Sequence, residues 1–238
     1  MNKENLVNLN YTSNQMNFEN KPKLGLGIYT ATEIAQILRL PYGKVYTWMN
    51  KYWDGKLGKE YDTQYSWQMN GTRAVSFHTF IEFYIMMRFS EAGVPTKNVL
   101  KAHSELSQMY NTAFPFALKE VIEGIHSDGK QIYLKSKHGI IILNGTKQLN
   151  LEIIQMFFVN LEFDKDNLAS RFWPIGKNKS ILVDPNRKFG HPIIDGKNIE
   201  PEIIHNHYKA GDPIKYIAHV YQLSEDEVTH ALEYCNAA

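Results

Sequence analysis

Residues 30–53 read TATEIAQILRLPYGKVYTWMNKYW, and the way this stretch divides decides the fold. Thr30 can cap a helix while Glu33, three residues on, reaches back to it. Ile34, Ile37 and Leu38 then line one helical face over about three turns. Pro41 disfavours helical geometry at Leu40, and Gly43 gives the connection freedom, so the chain turns there. Helical spacing resumes with Val45, Trp48, Met49 and Tyr52. A helix, a tight turn and a second helix are predicted.

Outward from this pair, NGTRAVSFHTF (70–80) suits a β-turn wing that carries Arg73. SFHTFIEFYIMMRFSEAG predicts a long amphipathic or buried helix, and VPTKNVLKAHSELSQMY another that opens near Pro95 and Thr96. FPFALKEVIEGIHSDGK marks a change of texture. The segments QIYLK, GIIIL and TKQL that follow are short and β-favouring, and SKHG and Asn144-Gly145 separate them, which predicts a small antiparallel meander. Leu151, Ile154, Phe158 and Leu161 stand at helical spacing in LEIIQMFFVNLEF, and ILVDP looks like a strand. Beyond Pro185 three helices are signalled: one with Pro201 near its first position, one opening at Asp212-Pro213, and one opening with the capping box Ser224 to Glu227.

The fold class expected is therefore α+β, mainly α. Its parts are a flexible tail at 1–23, a winged helix-turn-helix DNA-binding domain at 24–115, a mixed connecting segment with a small antiparallel β segment at 116–180, and a three-helix domain at 181–238. With 238 residues, 43% apolar and 13% aromatic, the chain can build a packed core. Only the Asn-rich stretch Met1 to Asn20 has too little apolar surface to fold.

The single cysteine, Cys235, cannot form an internal disulfide, and MNKENLVNLN lacks the apolar run of a secretory signal. A reducing, cytoplasmic location is expected. The longest apolar stretch, IIQMFFV at 153–159, is far short of the roughly 20 residues that cross a bilayer, so no membrane span is expected. The net charge of +1 hides an asymmetry: residues 21–90 hold nine Lys or Arg against five Asp or Glu, whereas 181–238 hold five against nine. The N-terminal part is the better candidate for touching phosphates.

A helix pair of this kind reads DNA when its second helix offers polar side chains to the major groove. Lys44 and Lys51 suit phosphates, Tyr46, Thr47 and Asn50 suit base edges or sugars, and Arg73 suits a wing beside the minor groove. Trp48 is read as core. The sequence IKYIAHVYQLSEDEVTHALEY has similar spacing, but Glu225, Asp226 and Glu227 would oppose phosphates, which favours helix capping and partner contact there. Readers of this kind usually bind pseudo-palindromic DNA as dimers, so a homodimer is expected.

A metal site at Glu202 and His205, with His207 and His191 near in sequence, lacks a second Glu-His motif, and His207 points off the shared face; no metal is assigned. Gly25-Leu26-Gly27 lacks the remaining residues of a phosphate loop, so no nucleotide cofactor follows. Cys235 sits in what should be a terminal helix with no matched base, and no enzymatic activity is expected.

LGIYTATEIAQILRLPYGKVYTWM resembles the winged helix-turn-helix that opens MerR-like regulators and the N-terminal domain of VapB-type antitoxins. The helix SFHTFIEFYIMMRFSEAGVP, Pro-Phe-Ala at 115–117 and LASRFWPIGKNKSILVDPNRKFGHPIIDGKNI follow in a similar order. DPNRKFGHPIIDGKNIEPEIIHNHYKAGDPIKYIAHVYQLSEDEVTHALEY resembles the small three-helix domain of many VapB-type antitoxins, matching at Asp184-Pro185, Gly190, Pro192, Gly196, Gly211-Asp212-Pro213 and Ala231-Leu232. At Lys197-Asn198 the family shows Thr-Arg, and no role of that arginine carries over. The resemblance spans about 210 residues from Leu24. It implies an antitoxin that binds its own operator DNA and a protein toxin, often a small ribonuclease of PIN-like fold. Two other classes stay open: a free-standing ligand-responsive transcription regulator and a small hydrolytic enzyme.

Overall fold

In a computed structural model the described residues are 25–61, 64–69, 71–127, 132–136, 139–143 and 159–236. The tail at 1–23, the TKQL segment and the helical spacing at Leu151, Ile154 and Phe158 lie outside the described residues, apart from Leu161. The protein is mixed α and β, with several helices and small antiparallel sheets.

The chain enters β1 (Tyr29–Thr30) and turns at once into α1 (Ala31–Leu38). The capping box forms: Thr30 Oγ1 accepts from the Glu33 backbone at 3.3 Å, and Glu33 accepts from the Thr30 backbone at 2.6 Å. Arg39 ends α1 in the left-handed region, φ 55°, and Pro41 precedes α2 (Tyr42–Thr47). The second helix continues beyond α2 as a π-wound stretch, Trp48–Leu57, and then α3 (Gly58–Glu60). β2 (Ser66–Met69) and β3 (Thr72–Val75) form a hairpin, and β3 lies between β1 and β2 in a three-stranded antiparallel sheet.

α4 (Phe77–Glu91) is buried on nearly every side, from Phe80 and Phe83 to Ile85 and Phe89, and α5 (Thr96–Tyr110) packs beside it. A helix that is apolar all round belongs inside a core. α4 also holds a buried acid, Glu82, whose carboxylate lies 2.5 Å from His103 Nε2 of α5 and accepts from the Phe116 backbone at 2.9 Å. Pro115–Ala117 forms a 3-10 turn before α6 (Lys119–Glu123). The meander is β4 (Ile125–Ser127), β5 (Ile132–Ser136) and β6 (Gly139–Ile142), with β5 central.

Leu161, expected to close a helix, instead starts a strand. β7 (Leu161–Phe163), β8 (Ala169–Phe172), β9 (Ile181–Val183) and β10 (Pro192–Ile194) make a four-stranded antiparallel sheet in the order β10-β9-β8-β7. Leu161 pairs with Phe172, and that pairing decides between two states its apolar spacing allows. Phe172 and Val183 pack into the large core around α4, while Ile181 and Ile194 pack into a second core with the last helices.

Those helices are α7 (Pro201–Lys209), α8 (Ile214–Tyr221) and α9 (Glu225–Asn236). The second capping box also forms: the Ser224 backbone donates to Glu227 at 2.7 Å and the Glu227 backbone to Ser224 Oγ at 3.1 Å. Ile204, Ile217, Leu223, Val228, Ala231 and Leu232 fill the small core between them. Among the described residues no helix is long and apolar enough to cross a membrane.

Candidate nucleic-acid interface

In the π-wound stretch Trp48–Leu57 the backbone bonds run from i to i+5, which widens the helix. Trp48, Met49, Trp53 and Leu57 face the core, with Trp48 only 3% exposed and set edge-on to Phe83. Tyr46, Asn50 and Asp54 follow one another on the side turned towards the hairpin. A widened helix of this kind often marks a functional position.

The hairpin is tied to this face by one arginine. Arg73 of β3 donates through Nη1 to Asn50 Oδ1 at 2.8 Å and to Asp54 Oδ2 at 2.9 Å. Asp54, buried with 7% exposure, also accepts from the backbones of Tyr65 (2.7 Å) and Ser66 (3.0 Å) and from the Ser66 hydroxyl (2.5 Å). A single carboxylate thus joins the second helix, the start of β2 and the middle of β3. A buried charge is tolerable only when it is satisfied in this way. Asp54 was missed by the sequence reading because its partners lie 11, 12 and 19 residues away.

Of the six residues expected to meet DNA, Asn50 and Arg73 belong to this junction and Tyr46 shares a groove with Arg73, while Lys44, Thr47 and Lys51 make other contacts. Tyr46 is about half exposed and stacks on Tyr42 at 5.7 Å, and Lys51 is exposed with its ammonium 5.9 Å from the Tyr52 ring. Thr47 is exposed but donates to the Gly43 carbonyl at 2.7 Å. Lys44 donates to Ser90 Oγ of α4 at 3.2 Å and lies 5.2 Å from the Trp48 ring. Asn50 is engaged on both ends of its amide, since Nδ2 donates to the Tyr46 carbonyl at 2.9 Å while Oδ1 accepts from Arg73. Arg73 keeps about a third of its side chain exposed. A shallow groove lined by Tyr42, Tyr46, Gln68, Thr72 and Arg73 runs between helix and hairpin.

The weighed metal residues do not converge. His207 bonds Asp212 through Nδ1 and Tyr221 through Nε2, both at 2.7 Å, and His205 meets Asn236. No group of three or more His, Cys, Asp or Glu among the described residues is arranged to hold a metal ion. Cys235 is half-buried at the end of α9, where burial and the charge of Glu202 push its thiol up to about 12.

The family described as "Protein of unknown function (DUF433)" matches residues 181–235, so a DUF433 domain forms the C-terminal part of the chain. Over 226 residues the chain is 22% identical to the protein named "Putative antitoxin VapB45" of Mycobacterium tuberculosis, covering 87% of this chain and 92% of that one. It is 23% identical to "Uncharacterized protein Rv2308" of the same organism over 225 residues, 87% of this chain and 89% of the other. Among solved structures, the crystal structure of Rv2018 from Mycobacterium tuberculosis is similar with a TM-score of 0.64 at 18% identity, over 89% of this chain and 99% of that one. At that identity the likeness shows a shared fold alone.

Proposed function

We propose that this chain is the antitoxin of a toxin–antitoxin pair, one that binds operator DNA and neutralises a protein toxin and has no catalytic activity of its own. The observation that carries the DNA half is the Asn50–Arg73–Asp54 junction, which makes helix and hairpin one rigid polar surface. The reader is of the winged helix-turn-helix type within 24–115, with a connecting part at 116–180 and the three-helix part at 181–238. Lys51, and Lys44 once released from Ser90, meet phosphates. Tyr46 and Thr47 meet base edges or sugars, Arg73 lies at the wing, and Asn50 acts on sequence preference largely by aiming Arg73.

The toxin half rests on the relative named as an antitoxin, which the chain matches along nearly its whole length. The toxin is a ribonuclease of PIN-like fold, and the acidic 181–238 part complements its basic cleft. The protein works in the cytoplasm as a homodimer, which fits a two-fold operator.

Co-expression with the neighbouring gene product, followed by a salt-titrated shift assay on the promoter upstream of the pair, tests both halves. A co-purifying complex that binds that promoter supports the reading. Promoter binding with no partner overturns the antitoxin half, and a partner with no promoter binding overturns the DNA half.

A further inference from the structure

The groove between the second helix and the hairpin, about 380 Å³, carries three residues to which the proposed function gives no part: Tyr42, Gln68 and Thr72. Tyr42 opens α2 with about half its surface exposed, and its ring is held by the stack on Tyr46. Across the groove, Gln68 of β2 stands directly opposite Arg73 of β3, which places both side chains on one face of the hairpin. Gln68 and Thr72 are exposed, and with Gly71 they complete the hairpin side. The side chains of Tyr42, Gln68 and Thr72 make no hydrogen bond among the described residues. Ala31 and Met49 supply an apolar part of the lining, and among the described residues no carboxylate lines the groove.

We infer that this groove clamps one phosphodiester of the bound DNA, with Tyr42, Gln68 and Thr72 as neutral donors beside Arg73; the inference rests on the DNA half of the proposed function and adds these three residues to it. A reader whose helix enters the major groove and whose hairpin lies by the adjacent minor groove has one sugar–phosphate strand between the two. The groove between helix and hairpin occupies that place. Its chemistry suits a phosphate better than a base edge, because phenol, amide, hydroxyl and guanidinium can all donate, whereas the oxygens of a phosphodiester only accept. Arg73 is fixed by Asn50 and Asp54, so its wall of the clamp is set before DNA arrives. The charge of Asp54, 2.9 Å from the guanidinium, leaves the clamp close to neutral. It therefore holds phosphate by hydrogen bonds more than by charge. That separates it from Lys51, which meets phosphate as a cation and so displaces counterions.

The test is a salt-titrated shift assay with phosphate ethylation interference on the promoter upstream of the gene pair, using the full-length protein and the variants Tyr42→Phe, Gln68→Ala and Thr72→Val, singly and combined. All three residues are exposed, so the variants keep the fold, and matched urea midpoints check it. Each single change should weaken binding about twofold to tenfold, the size of one neutral hydrogen bond, with the salt slope unchanged. In the combined variant, ethylation of one phosphate for each bound chain should lose its interference while the other sensitive phosphates keep theirs. Unchanged affinity in the combined variant, a reduced salt slope, or an interference pattern identical to that of the wild type overturns the clamp and leaves DNA binding standing. Absence of promoter binding by the wild-type protein overturns the DNA reading and the clamp together.

Discussion

The Asp54–Arg73 pair allows a quantitative test that does not depend on what the protein binds. Asp54→Asn keeps an oxygen for the backbones of Tyr65 and Ser66 but removes the charge that meets Arg73 at 2.9 Å. A charge-assisted hydrogen bond contributes about 1.5–3 kcal/mol, and the exposure of about a third of Arg73 reduces that to about 1–2 kcal/mol. Arg73→Ala loses the same contact and the Asn50 bond with it. The double variant should therefore cost less than the sum of the singles, with a coupling of about 1 kcal/mol from urea midpoints at constant slope. Coupling near zero would refute the view that this pair fixes the hairpin to the helix. In a shift assay on the upstream promoter, Arg73→Ala should weaken binding more than Asp54→Asn, because only the first removes a cation from the wing. Equal losses would mean that Arg73 only holds the hairpin and never meets DNA.

Lys51→Ala should weaken binding on every sequence and lower the magnitude of the salt slope by about 1, as expected for one lost phosphate contact; an unchanged slope in a salt-titrated shift assay would remove Lys51 from the interface. Glu82→Ala leaves His103 and the Phe116 backbone without their buried partner and should destabilise by about 3–5 kcal/mol in denaturant titration, where a loss under 1 kcal/mol would contradict the pairing. Burial holds the folded-state proton affinity of His78 below its ordinary value, opposed in part by its bond to the Ala169 backbone and by the charge of Asp164. The unfolded chain binds that proton more readily, so this contribution to stability is complete above about pH 6.5 and declines as pH falls through the lower folded value. Urea midpoints from pH 7.5 to 5 should fall less steeply in His78→Gln, and parallel curves would exclude His78 as the source. Gly190→Ala drives a Cβ into the Tyr29 hydroxyl at φ 91°, and the melting temperature should drop by several degrees; an unchanged value would mean that this turn is not as tight as described.

The features legible from sequence alone were local ones. Thr30 with Glu33 and Ser224 with Glu227 act across three residues, and Pro41 limits its immediate neighbour, so the spacing of residues contains the whole interaction. The burial of Trp48 and the helix starts at Thr96 and Pro201 follow from the same kind of local pattern. Tertiary structure alone decided what depended on distant pairing. Leu161 belongs to a strand because Phe172 lies opposite, and β7, only three residues long, has no room to display a period. Asp54 has no local sequence signal, because its role arises only when the hairpin brings Arg73 and the Ser66 backbone to it. Glu33 and Glu202 line one pocket although 169 positions of chain separate them, an arrangement that no spacing rule encodes.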